Sequence, residues 1–302
     1  MGKIVVAGSL NMDIVLRVPH IPAVGETIIS TNVSLVAGGK GANQAVGVGK
    51  LGGDVYMLGR LGKDAYGKKL YDSLLKNKVK TEGLVFDEEL PTGNAYICVS
   101  DTGENNIVVS PGANKAFSRE QIDRYESIFE GAEYCLLQLE IPMVTVEHIL
   151  QVCRRKKVKV ILNPAPARVL KDELLDDLFL LIPNEKEISM LCPEPTTLEE
   201  KAKALLAKNV HNVVITLGEK GCMLANKEKI AYYPAIPFKP VDTTAAGDSF
   251  ISGLAVALSE GRDLCAALRF ANYTAGITIT KHGAQTSLPS RGEVDRYYLG
   301  KQ

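Results

Sequence analysis

The sequence predicts an α/β protein with a mainly parallel central sheet flanked by helices and a minor β layer beside it. Three observations carry the prediction: short β-branched runs recur along the chain, helical patterns separate them, and two regions break the rhythm with closely spaced short strands. The runs "KIVVAGS", "VYMLGRLG", "EYCLLQLE", "VKVILNPAP", "FLLIPNE" and "NVVITLG" are apolar throughout, as strands covered on both faces are. Between them lie "SREQIDRYESIFEG", where Ser118 and Gln121 have capping-box spacing, and "TTLEEKAKALLAKN", where Leu198, Ala202, Leu205 and Leu206 share one helix face. Such alternation produces a sheet sandwiched by helices.

The two exceptions are 12–36, where short strands are punctuated by Pro19, Pro22 and Gly25, and "NAYICVSDTGENNIVVS", a hairpin turning at 101–105. They form either a small separate sheet, placed as a lid over a site, or antiparallel strands that extend the main sheet. The 302 residues suffice for one large domain or two smaller ones, and neither a linker nor a solenoid-length repeat divides them.

Lys plus Arg and Asp plus Glu both total 35, so no basic field gathers nucleic acid. The opening "MGKIVVAGSLNMDIV" is too short in its apolar run for a signal segment or a membrane span, and Val6 stands where a myristoylation signal needs Ser or Thr. A cytoplasmic protein without membrane or nucleic-acid partners is expected. Six cysteines without a C-x-x-C read as reduced core thiols, and four unpaired histidines give no support to a zinc site or a Ser-His-Asp triad. The chemistry is left to carboxylates, backbone amides and bound ions.

Ligands of open α/β sheets collect beyond the carboxyl ends of the strands. There the runs end in Ser9 and Asn11, Glu140, Asn163, Asn184 and Thr216, which together favour a polar cleft. "VAGGKGANQA" at 36–45 is no Walker A loop, since Gly41 follows Lys40 and the four-residue gap between glycines is missing. It reads either as a ligand loop feeding a helix, with Lys40 and Asn43 beside glycines, or as a surface turn. "GVGKLG" matches G-x-G-x-x-G but sits late in or after a helix, where a dinucleotide site does not form. Asp13 shares a strand face with Val15 and Arg17, which a solvated edge strand explains.

In "VDTTAAGDSFISGLAVAL", the apolar positions Phe250, Ile251, Leu254, Ala255 and Leu258 mark a buried helix that starts near Ala246 or Gly247. Small residues there leave the first N–H groups open, and the helix dipole adds positive potential, so the start is an anion site. Asp248 in that first turn either stabilises the helix by about 0.3–1 kcal/mol or takes a proton from a hydroxyl attacking a phosphoryl group.

With "GGKGAN" at 38–43, "DTTAAGD" at 242–248 and "NEKE" at 184–187, in that order and spacing, the chain resembles the ribokinase family of carbohydrate kinases, also called the PfkB family. "GSLNMD", "QLEIP", "NPAPA" and "KHGAQTSLP" resemble the family's ribose-phosphorylating branch. The resemblance implies a ribokinase-like fold, a single domain over 1–302, with a lid built from about 12–37 and 92–110. It implies ATP-dependent phosphorylation of D-ribose at O5, with Asp248 as the base and the amides of Ala245, Ala246 and Gly247 as the anion hole. Ribose would be held by Asn11, Asp13, Gly39, Lys40, Asn43 and Glu140. The nucleotide would lie along Asn184, Thr216, Leu217, Gly218, Glu219, Lys220, Gly221 and Gly247, with Asn272 near adenine. Glu187 would hold Mg²⁺ through water, and Asp242, Thr244, Thr278, Lys281, Gly283 and Ser287 would surround K⁺. Lids of two subunits would pair as a homodimer. Kinases of deoxyribose, fructose or adenosine, or a catalytically silent sugar-binding regulator, are the alternatives. Where the wider family has Gly, this chain has Ala245, which matters if the loop needs a positive φ.

Overall fold

The computed structural model describes residues 1–194 and 196–299. The large sheet runs in the order β13 (Ile230–Tyr233), β12 (Cys222–Asn226), β11 (Asn212–Thr216), β10 (Leu180–Leu181), β9 (Lys159–Leu162), β8 (Ala132–Leu137), β1 (Lys3–Ala7), β4 (Asp54–Gly62) and β5 (Lys80–Asp87). Pairings from β11 to β5 are parallel, and β12 and β13 close one edge antiparallel.

Because side chains alternate along a strand, the sheet divides the core in two. Ile4 and Val6 face α1 (Lys40–Lys50), α2 (Ala65–Lys76), α8 (Ala246–Ser259), α9 (Leu264–Thr278) and α10 (Arg291–Tyr298). Val5 and Ala7 face α3 (Arg119–Arg124), α4 (Met143–Lys156), α5 (Asp172–Leu175), α6 (Glu185–Leu191) and α7 (Leu198–Leu206). Ile4, Val5 and Val6 are fully buried, and burial of a large aliphatic side chain stabilises by about 1.5–3 kcal/mol. Four of the six cysteines are buried and all six are free thiols. No helix among the described residues is long and apolar enough to cross a membrane.

A second sheet, separate from the first, has the order β3 (Asn32–Gly38), β2 (Asn11–Val18), β6 (Gly93–Ser100) and β7 (Asn105–Ser110). This decides between the two readings of these strands: they do not extend the main sheet. The hairpin of β6 and β7 turns where the sequence predicts. Asp13 is not on an edge strand, because β2 pairs with β3 on one side and β6 on the other. Period-two alternation identifies the face of a strand but not its neighbours.

Two local expectations change. "FLLIPNE" yields only the two residues of β10, since Pro183 lacks an N–H for the ladder, although its carbonyl still accepts from Thr216 N at 3.0 Å. Ser118 accepts from Gln121 N at 3.4 Å, but the Gln121 side chain donates to Gly59 and Gly83 carbonyls instead of closing the box. Complete capping boxes form instead at Asn184/Glu187, Thr197/Glu200 and Ser290/Glu293.

Candidate active site

Helices α1 and α8 both begin at the carboxyl edge of the large sheet, and their first turns meet there. Gly39 makes the entry to α1 possible: its φ is +87°, and a Cβ would lie 2.6 Å from Asn11 N. The turn brings Lys40 into a cavity of about 220 Å³ shared with Asn184, Glu187, Thr216, Thr243 and the start of α8. "GVGKLG" lies at the end of α1, with Gly47 and Gly49 inside the helix, so it leaves no strand and opens no helix.

Asp248 stands in the first turn of α8, 7% exposed. Asn43 Nδ2 donates to its Oδ2 at 3.0 Å, and Gln44 Nε2 donates to its Oδ1 at 3.1 Å. Each carboxylate oxygen thus has one fixed amide donor. Asn43, expected on the sugar, is brought to the site but is paired with the carboxylate. Of the three predicted anion-hole amides, that of Ala246 already donates to Thr243 O at 3.2 Å. Gly247 faces open space, for a Cβ there would meet nothing within 4 Å. Ala245 takes φ 60° and ψ 11°, the left-handed conformation that favours glycine.

The expected sugar residues converge beside this cavity. Ser9 Oγ donates to Glu140 Oε2 at 2.5 Å, and Lys40 N approaches the same oxygen at 3.4 Å. Asn11 and Glu140 line a second cavity of about 320 Å³ together with Asn114, Lys115 and Arg168. Asp13 lies against Gly38, where a Cβ would come within 2.2 Å of Oδ2. Burial pushes the Asp13 carboxyl up to about 7, and the negative charges of Glu140 and Asp248 add to the rise despite Lys40. Burial alone would depress the Lys40 ammonium, but Asp248, Glu140, Glu187 and Asp13 together hold it above its ordinary value. One lysine therefore faces four carboxyl groups.

Asn184 and Thr216 are joined by a parallel bridge at the edge of the same cavity. Leu217 and the turn Gly218–Lys220, closed by Gly221, continue from β11 but do not line the cavity. Asn272, on α9, is buried and donates to the Tyr233 and Pro234 carbonyls. Glu187 is raised, first by burial and further by Asp248, against the pull of Asn184 N–H and Lys40.

Asp242 Oδ1 accepts from Thr244 N and Oδ2 from Gly283 N, both at 2.9 Å, so the turn after α9 is tied to the loop before α8. The hydroxyls of Thr278 and Ser287 donate to Ser249 Oγ and to Ala284 O, and Lys281 Nζ pairs with Glu293 at 2.5 Å. Only the Lys281 ammonium is unable to ligate a cation; the Asp242, Thr278 and Ser287 oxygens keep lone pairs beside the backbone carbonyls of this region. Among the described residues no group of three or more His, Cys, Asp or Glu is clustered for a metal ion.

Sequence reasoning missed Gln44, Gln138, Asn114 and Thr243. Gln44 could have been found, since it lies one turn after Lys40 in the glycine-rich motif. Asn114 carried no signal: it clamps Leu10 N and O at 3.0 and 3.1 Å and donates to Asn11 Oδ1 at 2.8 Å from 103 residues away.

Residues 1–291 match the pfkB family of carbohydrate kinases. The chain is 40% identical over 299 residues to a ribokinase of Bacillus subtilis, covering 98% of this chain and 99% of that protein. It is 32% identical to a deoxyribokinase of Salmonella typhi, over 97% and 98% of the two chains. Among solved structures, it is similar to a ribokinase of Thermotoga maritima (40% identity, TM-score 0.92, covering 99% and 100%). It is also similar to an Arabidopsis thaliana ribokinase complexed with ribose and ATP (36% identity, TM-score 0.93, covering 98% of each chain).

Proposed function

The chain belongs to the pfkB family of carbohydrate kinases and has the ribokinase-like fold, and from this premise we propose that it phosphorylates D-ribose at O5, using ATP. The observation that carries the reading is Asp248: a buried carboxylate at a helix start, with both oxygens held by amides, opening on a cavity that Lys40 shares.

Asp248 takes the proton of the O5 hydroxyl as the O5–Pγ bond forms and the bond from Pγ to the β-phosphate oxygen breaks, releasing ADP. The amides of Ala245 and Gly247, with the dipole of α8, receive the charge of the transferred group, and Ala246 joins them if its long bond to Thr243 yields. Lys40 balances the same charge. Asn11, Asp13, Gly39, Asn43 and Glu140 hold the sugar hydroxyls. The nucleotide follows Asn184, Thr216 and the turn from Leu217 to Gly221, with adenine toward Asn272.

Glu187 and its neighbours fit Mg²⁺ that arrives with the nucleotide, since one carboxylate and water complete a coordination shell made mostly by phosphates. When bound, the ion neutralises phosphate charge. Oxygens of Asp242, Thr244, Thr278, Lys281, Gly283 and Ser287, several of them backbone carbonyls, would hold K⁺, which would stiffen the loop that leads into α8.

The whole chain acts as one domain, and the small sheet is its lid, excluding water from the transfer. Tyr96 and Val108, cross-strand partners on β6 and β7, are exposed, which supports pairing with the lid of a second copy as a homodimer. Six free thiols support a reducing, cytoplasmic setting.

The test is ADP release by the purified protein with Mg-ATP and D-ribose, with and without K⁺, against 2-deoxyribose, fructose and adenosine. Ribose-selective, K⁺-stimulated turnover is expected. Preference for another acceptor keeps the chemistry and replaces the substrate, whereas sugar binding without turnover would leave a silent binding protein.

A further inference from the structure

Behind the Asp248 carboxylate, away from the cavity, runs a line of two buried amides. Gln44 and Gln138 are both 0% exposed, and neither could touch a sugar without displacing the core. Gln138 Nε2 donates to Gln44 Oε1 at 2.6 Å, and Gln44 Nε2 donates to Asp248 Oδ1 at 3.1 Å. An ionised carboxylate only accepts hydrogen bonds. Gln44 must therefore present its NH₂ to Asp248 and its oxygen to Gln138, and Gln138 must present its own NH₂ in turn. The last oxygen in the line, Gln138 Oε1, is buried without a partner, where it faces Gly8.

We infer that Gln138 is a positioning residue for Asp248, acting through Gln44 to keep an N–H on the carboxylate. The inference rests on Asp248 being the base of the reaction. Without Gln138, only the carboxylate itself orients the Gln44 amide, which loses its second anchor and can swing or turn, a half-turn setting oxygen against oxygen. Gln138 follows β8 and Gln44 lies in α1, so the line joins sheet to helix to catalytic turn. Ser252 Oγ lies 3.0 Å from Gln44 O and 2.7 Å from Asp248 O and shares its one proton between them, which ties the two backbones without touching the Gln44 amide. A base held off its productive geometry slows the proton-transfer step and leaves sugar binding alone.

The experiment is steady-state turnover, read as kcat and ribose KM across pH, for the full chain and for Gln138→Met, Gln44→Met and the double variant, with Asp248→Asn alongside. In each single variant kcat falls by about tenfold, while the ribose KM is unchanged. The double variant is no worse than Gln44→Met. A wild-type kcat in Gln138→Met, a rise in ribose KM that accounts for the loss, or losses that add in the double variant, overturns the inference. Should Gln138→Met fail to fold, Gln138→Glu supplies the test: its carboxyl can donate to Gln44 only while protonated, so activity falls on the alkaline side, where the wild type holds. An alkaline limb like that of the wild type overturns the inference. If Asp248→Asn keeps full turnover, the assignment of the base fails; if it loses turnover while the Gln138 variants behave as wild type, only the role of Gln138 fails.

Discussion

The backbone N–H of Asn184 donates to Glu187 Oε2 at 2.8 Å, and the N–H of Glu187 donates to Asn184 Oδ1 at 2.8 Å. The N-x-x-E signature is thus a capping box for α6, while both side chains also line the cavity. Substitution separates the two roles. Glu187→Gln keeps an oxygen acceptor, so stability changes by less than about 0.5 kcal/mol, yet the missing charge raises the KM for Mg-ATP. Glu187→Ala loses the cap as well and costs about 1 kcal/mol. Urea unfolding beside Mg-ATP kinetics checks both; a Glu187→Gln variant with wild-type KM would leave the residue a purely structural role.

Ala245 holds a left-handed backbone, φ 60°, at the entry to α8. For a residue with a Cβ this costs about 1–2 kcal/mol, whereas glycine loses about 0.4–1 kcal/mol through its freer unfolded state. Ala245→Gly therefore stabilises the protein by about 0.5–1 kcal/mol, read as a higher urea midpoint. A lower midpoint would mean that the methyl group contributes packing that exceeds the strain.

Asp13 titrates at about 7 in the folded protein, above its ordinary 3.8. The folded state binds this proton more tightly, so the contribution to stability is complete below about pH 4 and is lost as pH rises through about 7. Asp13→Asn carries no such loss. Its stability relative to wild type improves from about pH 4 to about pH 7 and then levels, which thermal melts at stepped pH will show. A difference that does not vary with pH would remove Asp13 from the account of this cluster. In the same window wild-type ribose affinity rises with pH if the carboxylate is the acceptor for sugar hydroxyls, and calorimetry reads the accompanying proton release.

The layer architecture was legible because buried parallel strands are continuous apolar runs, and the start of α8 was legible because small residues precede a strongly periodic apolar stretch. Polar residues at Ser9, Glu140, Asn163, Asn184 and Thr216 marked the edge of the sheet where the two cavities open. What was not legible depends on long-range pairing. Nothing in "NMDIV" tells that β2 has neighbours on both sides, so the burial that perturbs Asp13 is invisible in its alternation. The Gln138–Gln44 contact spans 94 residues, and Asn114 reaches Leu10 across 104. The positive φ of Ala245 follows from the geometry of the loop, since local propensity argues against it. The sugar and cation residues were reached through family resemblance, which spacing alone does not replace.

The most direct measurement is turnover by Asp248→Asn with D-ribose and Mg-ATP, paired with calorimetric binding of ribose to the same variant. The asparagine keeps the size of the side chain and loses its basicity. The account predicts that kcat falls by about 10²–10⁴ while ribose still binds. Turnover within a few-fold of wild type, with binding intact, would contradict it and require another group to take the proton from O5.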